Sequence, residues 1–283
     1  MSQKNYLSKY AKSFNWAGFF LPKDIYLRCS SLYDFCRTLD NIADGDDDLS
    51  ERKKNLLDFR ESFFNKNFNN SIIQNMWHLM DKCKISIKIV KDLFDGIESD
   101  LKEEVRINTK KELLIYSYRV AGTVGLMMAK ILKVEKPEAL RAAIDLGIAM
   151  QLTNISRDVI EDSNNNRFYI NPTFDSIKET LTLANFFYEN SFSSIKEIPF
   201  NLRFSILVAR RVYRKIGDKI LTTKNIKNYN GSGKIYVTIF GKTIQTILSV
   251  SDLARLLLGS FQKPITTNEH FLINEEININ ERI

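Results

Sequence analysis

The stretch QLTNISRDVIEDSNNNRFY, Gln151 to Tyr169, decides the reading of this chain. Gln151, Asn154, Asp158 and Asp162 follow at spacings of three, four and four, so on a helix they form one polar stripe. Ile148, Leu152, Ile155 and Val159 form the neighbouring apolar stripe that a buried helix packs with. Asp158 and Asp162 stand one turn apart, about 5.4 Å of rise, so the two carboxylates can share hard cations. Arg157 beside them can grip an anion. A solvated helix face is the plainer reading of any one Asp, but two amides and two acids beside an apolar stripe favour a metal–phosphate site. Ser163 to Asn166 break the helix, and Arg167 and Tyr169 follow closely enough to fold back over the stripe.

A second stripe repeats the device. Tyr33, Arg37, Asp40 and Asp44 are spaced by four, three and four on a helical pattern running from Asp24 to about Ala43. One stripe is a weak signal, and two in one helical chain are a stronger one: facing each other, their acids could hold several Mg²⁺ ions around a diphosphate. Other phosphate or cation motifs fail on residue identity. A calcium loop starting at Asp44 needs Gly at position 49 and Glu at position 55, where the chain has Leu49 and Asn55. A P-loop ending at Lys234 needs Gly at position 228 and Ser or Thr at 235, where the chain has Asn228 and Ile235. No GxGxxG is present, a weak sign on its own that fits the expectation of no nicotinamide cofactor.

With 11 Gly and 5 Pro in 283 residues and long stretches at helical period, the expected class is all-α. A chain of this length can bury a substantial core. We expect one domain over residues 1–283, with polar, mobile ends at 1–11 and 261–283. Further helices are expected over 51–64, 72–80, 84–101, from Pro137 to about Asp162, and over 176–190 and 201–222. Thr109 and Glu112 form a capping box that starts a helix near Lys110. That helix contains Gly122 and Gly125, which cost roughly 1 kcal/mol each there and so mark a close approach by another helix or a ligand. Met127 and Met128 read as core, and His78 as structural. Ile235 to Leu258, the most apolar window, is interrupted by Lys242, Asp252 and Arg255 and reads as a buried helix, not a membrane span.

Composition narrows the function. The net charge of +7 mostly reflects Lys-, Asn- and Ile-rich usage, although it also suits an anionic substrate or an acidic membrane surface. No basic–aromatic interleaving points to nucleic acid. Cys29, Cys36 and Cys83 are odd in number and lack CxxC spacing, which suggests reduced thiols in a cytoplasm. Two histidines, His78 and His270, exclude a histidine-rich metal site and leave a Ser-His-Asp triad poorly supported. MSQKNYLSKYAKSF at the N-terminus has no apolar core and is not read as a signal peptide.

Several segments together resemble the squalene/phytoene synthase family of head-to-head prenyl synthases. They are Lys12-Ser13-Phe14, Leu21-Pro22, YDFCRTLDNIAD from Tyr33, DGIESDL from Asp95, YSYRVAGTVGLMM from Tyr116, QLTNISRDVIED from Gln151 and RFY from Arg167. The resemblance runs in register from about residue 10 to 172 and continues weakly through VARRVYRKIG from Val208. It implies a single all-α isoprenoid-synthase bundle with a central cavity. It implies Asp40, Asp44, Asn154, Asp158 and Asp162 as ligands of Mg²⁺, with Mn²⁺ as a substitute. Lys12, Ser13, Tyr33, Arg37, Gln151, Arg157, Arg167, Tyr169 and Tyr213 become the candidates for binding prenyl diphosphate.

Tyr116 matches the family's cavity tyrosine motif. Arg119 stands where many members carry a second tyrosine three residues on, so Tyr116 and Tyr118 both remain candidates for the catalytic phenol. Lys234 stands roughly where many members have Arg and is given no role. Within the family the chain is most similar to bacterial phytoene synthases, which implies condensation of two geranylgeranyl diphosphates through a cyclopropylcarbinyl diphosphate. Squalene, dehydrosqualene or hydroxysqualene synthesis from farnesyl diphosphate is the alternative. A non-catalytic, membrane-bound assembly role fits less well with four intact aspartates, and head-to-tail elongation fits poorly with DNIAD and DVIED in place of DDxxD. Oily substrate and product imply a cytoplasmic protein peripheral to a membrane. Oligomeric state is not legible.

Overall fold

Helix boundaries fall where the side chains dictate. The computed structural model describes residues 12–259 and 264–283, with side chains from residue 14 onward. After α1 (Lys12–Gly18), Pro22 leads into α2 (Lys23–Ala43). Asp48 accepts a hydrogen bond from the Glu51 amide to open α3 (Leu49–Phe64), Asn70 opens α4 (Ser71–Cys83), and Ser86 opens α5 (Ile87–Ser99). The capping box at Thr109 and Glu112 forms and starts α6 (Lys110–Ser117). A π-turn, Tyr118–Gly122, joins it to α7 (Thr123–Ile131), with the Thr123 amide reaching back to the Tyr118 carbonyl. Pro137 sits in the first turn of α8 (Pro137–Asn164), where its missing amide costs nothing. The remaining helices are α9 (Phe174–Phe192), α10 (Phe200–Leu221), α11 (Ile226–Gly231), α12 (Ile239–Leu258) and α13 (Asn268–Asn274).

The long helix α8 is the axis. It packs against α7, α9, α10 and the π-turn, and Ile148, Leu152, Ile155 and Val159 are all buried as the apolar stripe requires. Glycine sets the closest approach. A Cβ on Gly147 would lie 2.3 Å from the Ala121 carbonyl oxygen, and one on Gly125 would lie 2.2 Å from that of Ala143. Only glycine at both positions lets the π-turn and α7 lie directly on α8. To one side, Phe35, Phe63 and Phe94 from α2, α3 and α5 interlock with ring centroids 5.2–5.9 Å apart. Each fully buried Phe contributes roughly 1.5–3 kcal/mol.

At the end of α8 the chain turns back through Asn166, whose φ of 56° is one that Asn tolerates. Two residues of β2 (Arg167–Phe168) then pair in parallel with β1 (Val105–Arg106). This short pairing swings Arg167 and Tyr169 back over α8.

One expectation is corrected, that for the apolar window. Residues 264–283 of the polar C-terminal stretch make ion pairs with the bundle: Glu269–Lys110, Glu275–Lys111, Glu276–Arg119, Glu281–Lys88 and Arg282–Asp92. Its polarity serves partners on α5, α6 and the π-turn. The apolar window at Ile235–Leu258 becomes a helix only from Ile239, and it turns polar residues inward: Lys242, Gln245, Ser249 and Asp252 are buried while most of its apolar residues are exposed. Among the described residues no helix is long and apolar enough to cross a membrane. All three cysteines are free thiols.

Candidate active site

Two adjoining pockets, each about 320 Å³, lie between α2, the π-turn and α8. One is polar and carries both acidic stripes; the other is an apolar chamber. Asp40, Val120, Gln151 and Asn154 line both, so the polar pocket opens onto the chamber along that seam.

The polar pocket assembles Asp40 and Asp44 from α2 with Asp158, Asp162 and Arg157 from α8, and Arg167 and Tyr169 from the returning strand. Arg167 Nη2 lies 2.7 Å from Asp44 Oδ1, linking the end of the first stripe to the strand after the second. The Arg157 guanidinium grips Asp158 with two bonds, its Nε donating to Oδ1 at 2.9 Å. Burial, then the neighbouring Asp44, pushes the Asp40 carboxyl up to about 7, against the opposing charge of Arg37. Burial, then Asp158, likewise raises Asp162 to about 7, with Arg167 opposing.

Both stripes therefore hold carboxylates crowded together and partly desolvated, a condition that a bound cation relieves. Asn154 adds a buried Oδ1 with no hydrogen-bond partner. Hard oxygen donors, raised carboxyl pKa values and an orphaned amide oxygen together suit Mg²⁺. Among the described residues no three His, Cys, Asp or Glu side chains converge on one point. An ion held here would complete its octahedron with water or substrate oxygens, as Mg²⁺ commonly does.

The structure separates the two candidate phenols. Tyr116 lines the polar pocket, stacked on Tyr169 at 4.7 Å between centroids. Tyr118 is fully buried and donates to Asp92 Oδ2 at 2.9 Å, in a network with Arg282. It lines neither pocket, so of the two candidate phenols Tyr116 is the one beside the polar pocket. Tyr116 lies in the last turn of α6 and Tyr118 opens the π-turn, so two steps at about 3.6 residues per turn point the rings to different sides.

Asp100 was missed by sequence reasoning. Its carboxylate accepts from Tyr116 at 2.7 Å and from Tyr169 at 2.8 Å, fixing both hydroxyls. Burial raises Asp100 to about 6, while those two hydrogen bonds hold it down. The signal was present in DGIESDL, where Asp100 is the last residue but one of a segment quoted for its resemblance. Tyr229 was also missed, since nothing in its polar surroundings sets it apart. Its hydroxyl donates to the backbone carbonyls of Ser156 and Arg157 and so braces α8 behind the site. Lys234 pairs with Glu161 at 2.7 Å and approaches Asp158 at 3.5 Å, which places it at the pocket's edge.

Tyr33 and Tyr213 line the apolar chamber, not the polar pocket, with Gln151 at the seam. Arg37 lies close enough to act on Asp40, although it lines neither pocket. The side chains of Lys12 and Ser13 lie outside the described residues.

An all-α bundle in which an acid- and arginine-lined pocket opens onto an apolar chamber is the architecture of a site for a charged head on a long oily tail. The chain belongs to the squalene/phytoene synthase family, whose profile matches residues 7–173. It is 36% identical to the 15-cis-phytoene synthase of Enterobacter agglomerans over 152 residues, covering 46% of this chain and 51% of that protein. It is 28% identical to the chloroplastic phytoene synthase 2 of Solanum lycopersicum over 244 residues, 75% of this chain and 78% of the relative. The chain spans about half the length of the bacterial phytoene synthases it matches. Its structure is similar to that of a dehydrosqualene synthase, with a TM-score of 0.72 at 26% identity, covering 88% of this chain and 94% of that one. A squalene synthase from Alicyclobacillus acidocaldarius shares the fold, with a TM-score of 0.67 at 18% identity over 79% of this chain and 91% of that one.

Proposed function

We propose that this chain is a prenyltransferase that joins two geranylgeranyl diphosphates head to head, releasing two diphosphates and two protons to give phytoene. The observation that carries the reading is the shared seam at Asp40, Val120, Gln151 and Asn154. It lets a diphosphate lie among acids and arginines while its prenyl tail runs into the chamber.

Asp40 and Asp44 on one side, and Asn154, Asp158 and Asp162 on the other, are the residues that would hold Mg²⁺. When bound, that ion supplies positive charge to the departing diphosphate. Arg157 and Arg167, now paired with Asp158 and Asp44, exchange those partners for diphosphate oxygens as the substrate seats. They then stabilise the negative charge that grows as the carbon–oxygen bond breaks. The resulting allyl cation lies at the seam, beside the faces of aromatic side chains and away from water. Attack by the double bond of the second substrate leaves a tertiary cation, which loses a proton to the released diphosphate as the ring closes to the cyclopropylcarbinyl diphosphate; ionisation of that ester, rearrangement and loss of a second proton give the product. Tyr116 Oη takes the final proton as its own passes to Asp100 Oδ2, the carboxylate it already donates to. Released diphosphate is the competing acceptor.

The twenty-carbon substrate is favoured by the similarity to phytoene synthases and by the shape of the chamber. The chamber follows α8 from Asn154 back to Ala139, roughly 22 Å at about 1.5 Å per residue. Its walls there include the small side chains of Ala142 and Ala143, which leave space for a long tail. The likeness to a dehydrosqualene synthase structure supports farnesyl diphosphate as the second reading. Purified protein supplied with Mg²⁺ and either diphosphate, followed by identification of the extracted hydrocarbon, tests the choice. Phytoene from the longer substrate is expected. A thirty-carbon hydrocarbon formed in preference would move the protein to the farnesyl branch, and no hydrocarbon from folded protein would refute the activity.

A further inference from the structure

Helix α12 is built the wrong way round for water. Its inward face is polar, with Asp252 buried and held by two bonds from Arg211 at 2.5 and 2.8 Å. Its outward face repeats apolar residues at helical spacing: Phe240 is 76% exposed, Ile247 64% and Leu258 88%, with Ile239, Ile244 and Val250 among them. A helix facing solvent does the reverse, and a continuous apolar stripe of this length marks a surface meant to be covered. Among the described residues nothing covers it.

We infer that this face docks on an anionic lipid surface, with α12 lying in the headgroup layer parallel to the bilayer. Two features select lipid as the occupant. The stripe is bordered by cations: Lys219 Nζ donates to the Tyr236 carbonyl at 2.8 Å at one end, and Arg255 stands half out of the protein at the other. The one acid on α12, Asp252, is buried, which leaves no negative side chain on the outward face. An apolar stripe with a basic border on a chain of net charge +7 is complementary to acyl chains beneath acidic headgroups.

The stripe is also continuous with the chamber's edge. Trp16 of α1 donates to Thr246 of α12 at 2.9 Å, while Phe14, Ala17 and Gly18 of the same short helix line the chamber. Phe19, next along, is 73% exposed. The bilayer therefore meets the protein where an oily tail can pass into or out of the chamber. That last step rests on the proposed function; the docking does not.

The test is flotation of the full chain with phosphatidylcholine vesicles made with and without phosphatidylglycerol, at low salt. Wild type is expected to float with the acidic vesicles. A Phe240→Ser, Ile247→Ser, Leu258→Ser variant should lose at least about tenfold in partitioning, since each removed side chain withdraws apolar area from the lipid. Its activity on detergent-dispersed substrate should be unchanged. Should that variant fold poorly, Leu258→Cys carrying a polarity-sensitive fluorophore should shift to the blue on acidic vesicles, whereas Leu57→Cys on α3 should not. Wild type that stays unbound, a variant that floats as well as wild type, or equal dye shifts at both positions would overturn the inference. So would a wild-type dimer that the triple variant dissociates, because a second copy would then own the face. Product formation without flotation would remove this inference alone.

Discussion

Removing the Arg282 side chain tests how the chamber wall is held. Arg282 donates to both oxygens of Asp92, Nε at 3.0 Å and Nη2 at 3.1 Å. Asp92 also accepts from Tyr118, the first residue of the π-turn whose Val120 and Ala121 form part of the wall. Asp92 is 5% exposed, so Arg282→Ala leaves a buried carboxylate with a single neutral donor. Breaking a buried pair from one side costs about 3–5 kcal/mol, and the lower figure applies because Tyr118 remains and Arg282 is partly solvated. For a chain of this size about 3 kcal/mol lowers Tm by roughly 6–12 °C. Thermal unfolding followed by circular dichroism measures it. Adding Asp92→Asn should recover more than half of the loss, because the orphaned charge is then gone. If Arg282→Ala leaves Tm within about 2 °C of wild type, the C-terminal tie to the π-turn is not a structural element and the reasoning fails.

Two further outcomes follow from the site. In EDTA, Asp40 holds its proton up to about pH 7 in the folded chain but only to the ordinary carboxylate range when unfolded. The folded state therefore binds the extra proton between those values, and Asp40 makes stability fall as pH rises through that window. Asp40→Asn should remove that part of the slope, stabilise the metal-free protein at about pH 8 by about 1–2 kcal/mol and abolish turnover; Tm measured from about pH 5 to 8 with and without Mg²⁺ checks it. Tyr116→Phe should lower kcat about tenfold or more while Tm changes little. Tyr118→Phe should do the opposite, costing about 1 kcal/mol of stability with kcat nearly intact; equal kinetic effects from the two would contradict their separation.

The parts of this architecture written at helical period were legible in advance. The stripes at Asp40–Asp44 and Asp158–Asp162 and the capping box at Thr109 depend on spacing within one helix, and spacing is what a sequence displays. Asp100 was not legible as a site residue, because its importance comes from two tyrosines that reach it from 16 and 69 positions away. Tyr118 could not be told from Tyr116 because two positions on a helix face opposite sides and nothing local says which side meets the pocket. The burial of α12 was misread for a related reason: hydrophobicity says that a face wants cover and does not say what provides it. The ion pairs of the C-terminal stretch were not legible because its charges have their partners on α5, α6 and the π-turn, far away in the chain.

The most direct measurement is the count of diphosphates released per hydrocarbon formed from geranylgeranyl diphosphate in the presence of Mg²⁺. A head-to-head condensation in the pocket and chamber described above predicts two diphosphates for each forty-carbon hydrocarbon, in wild type and not in Asp158→Asn. A prenyl product that retains its diphosphate, formed with release of one, would contradict the account.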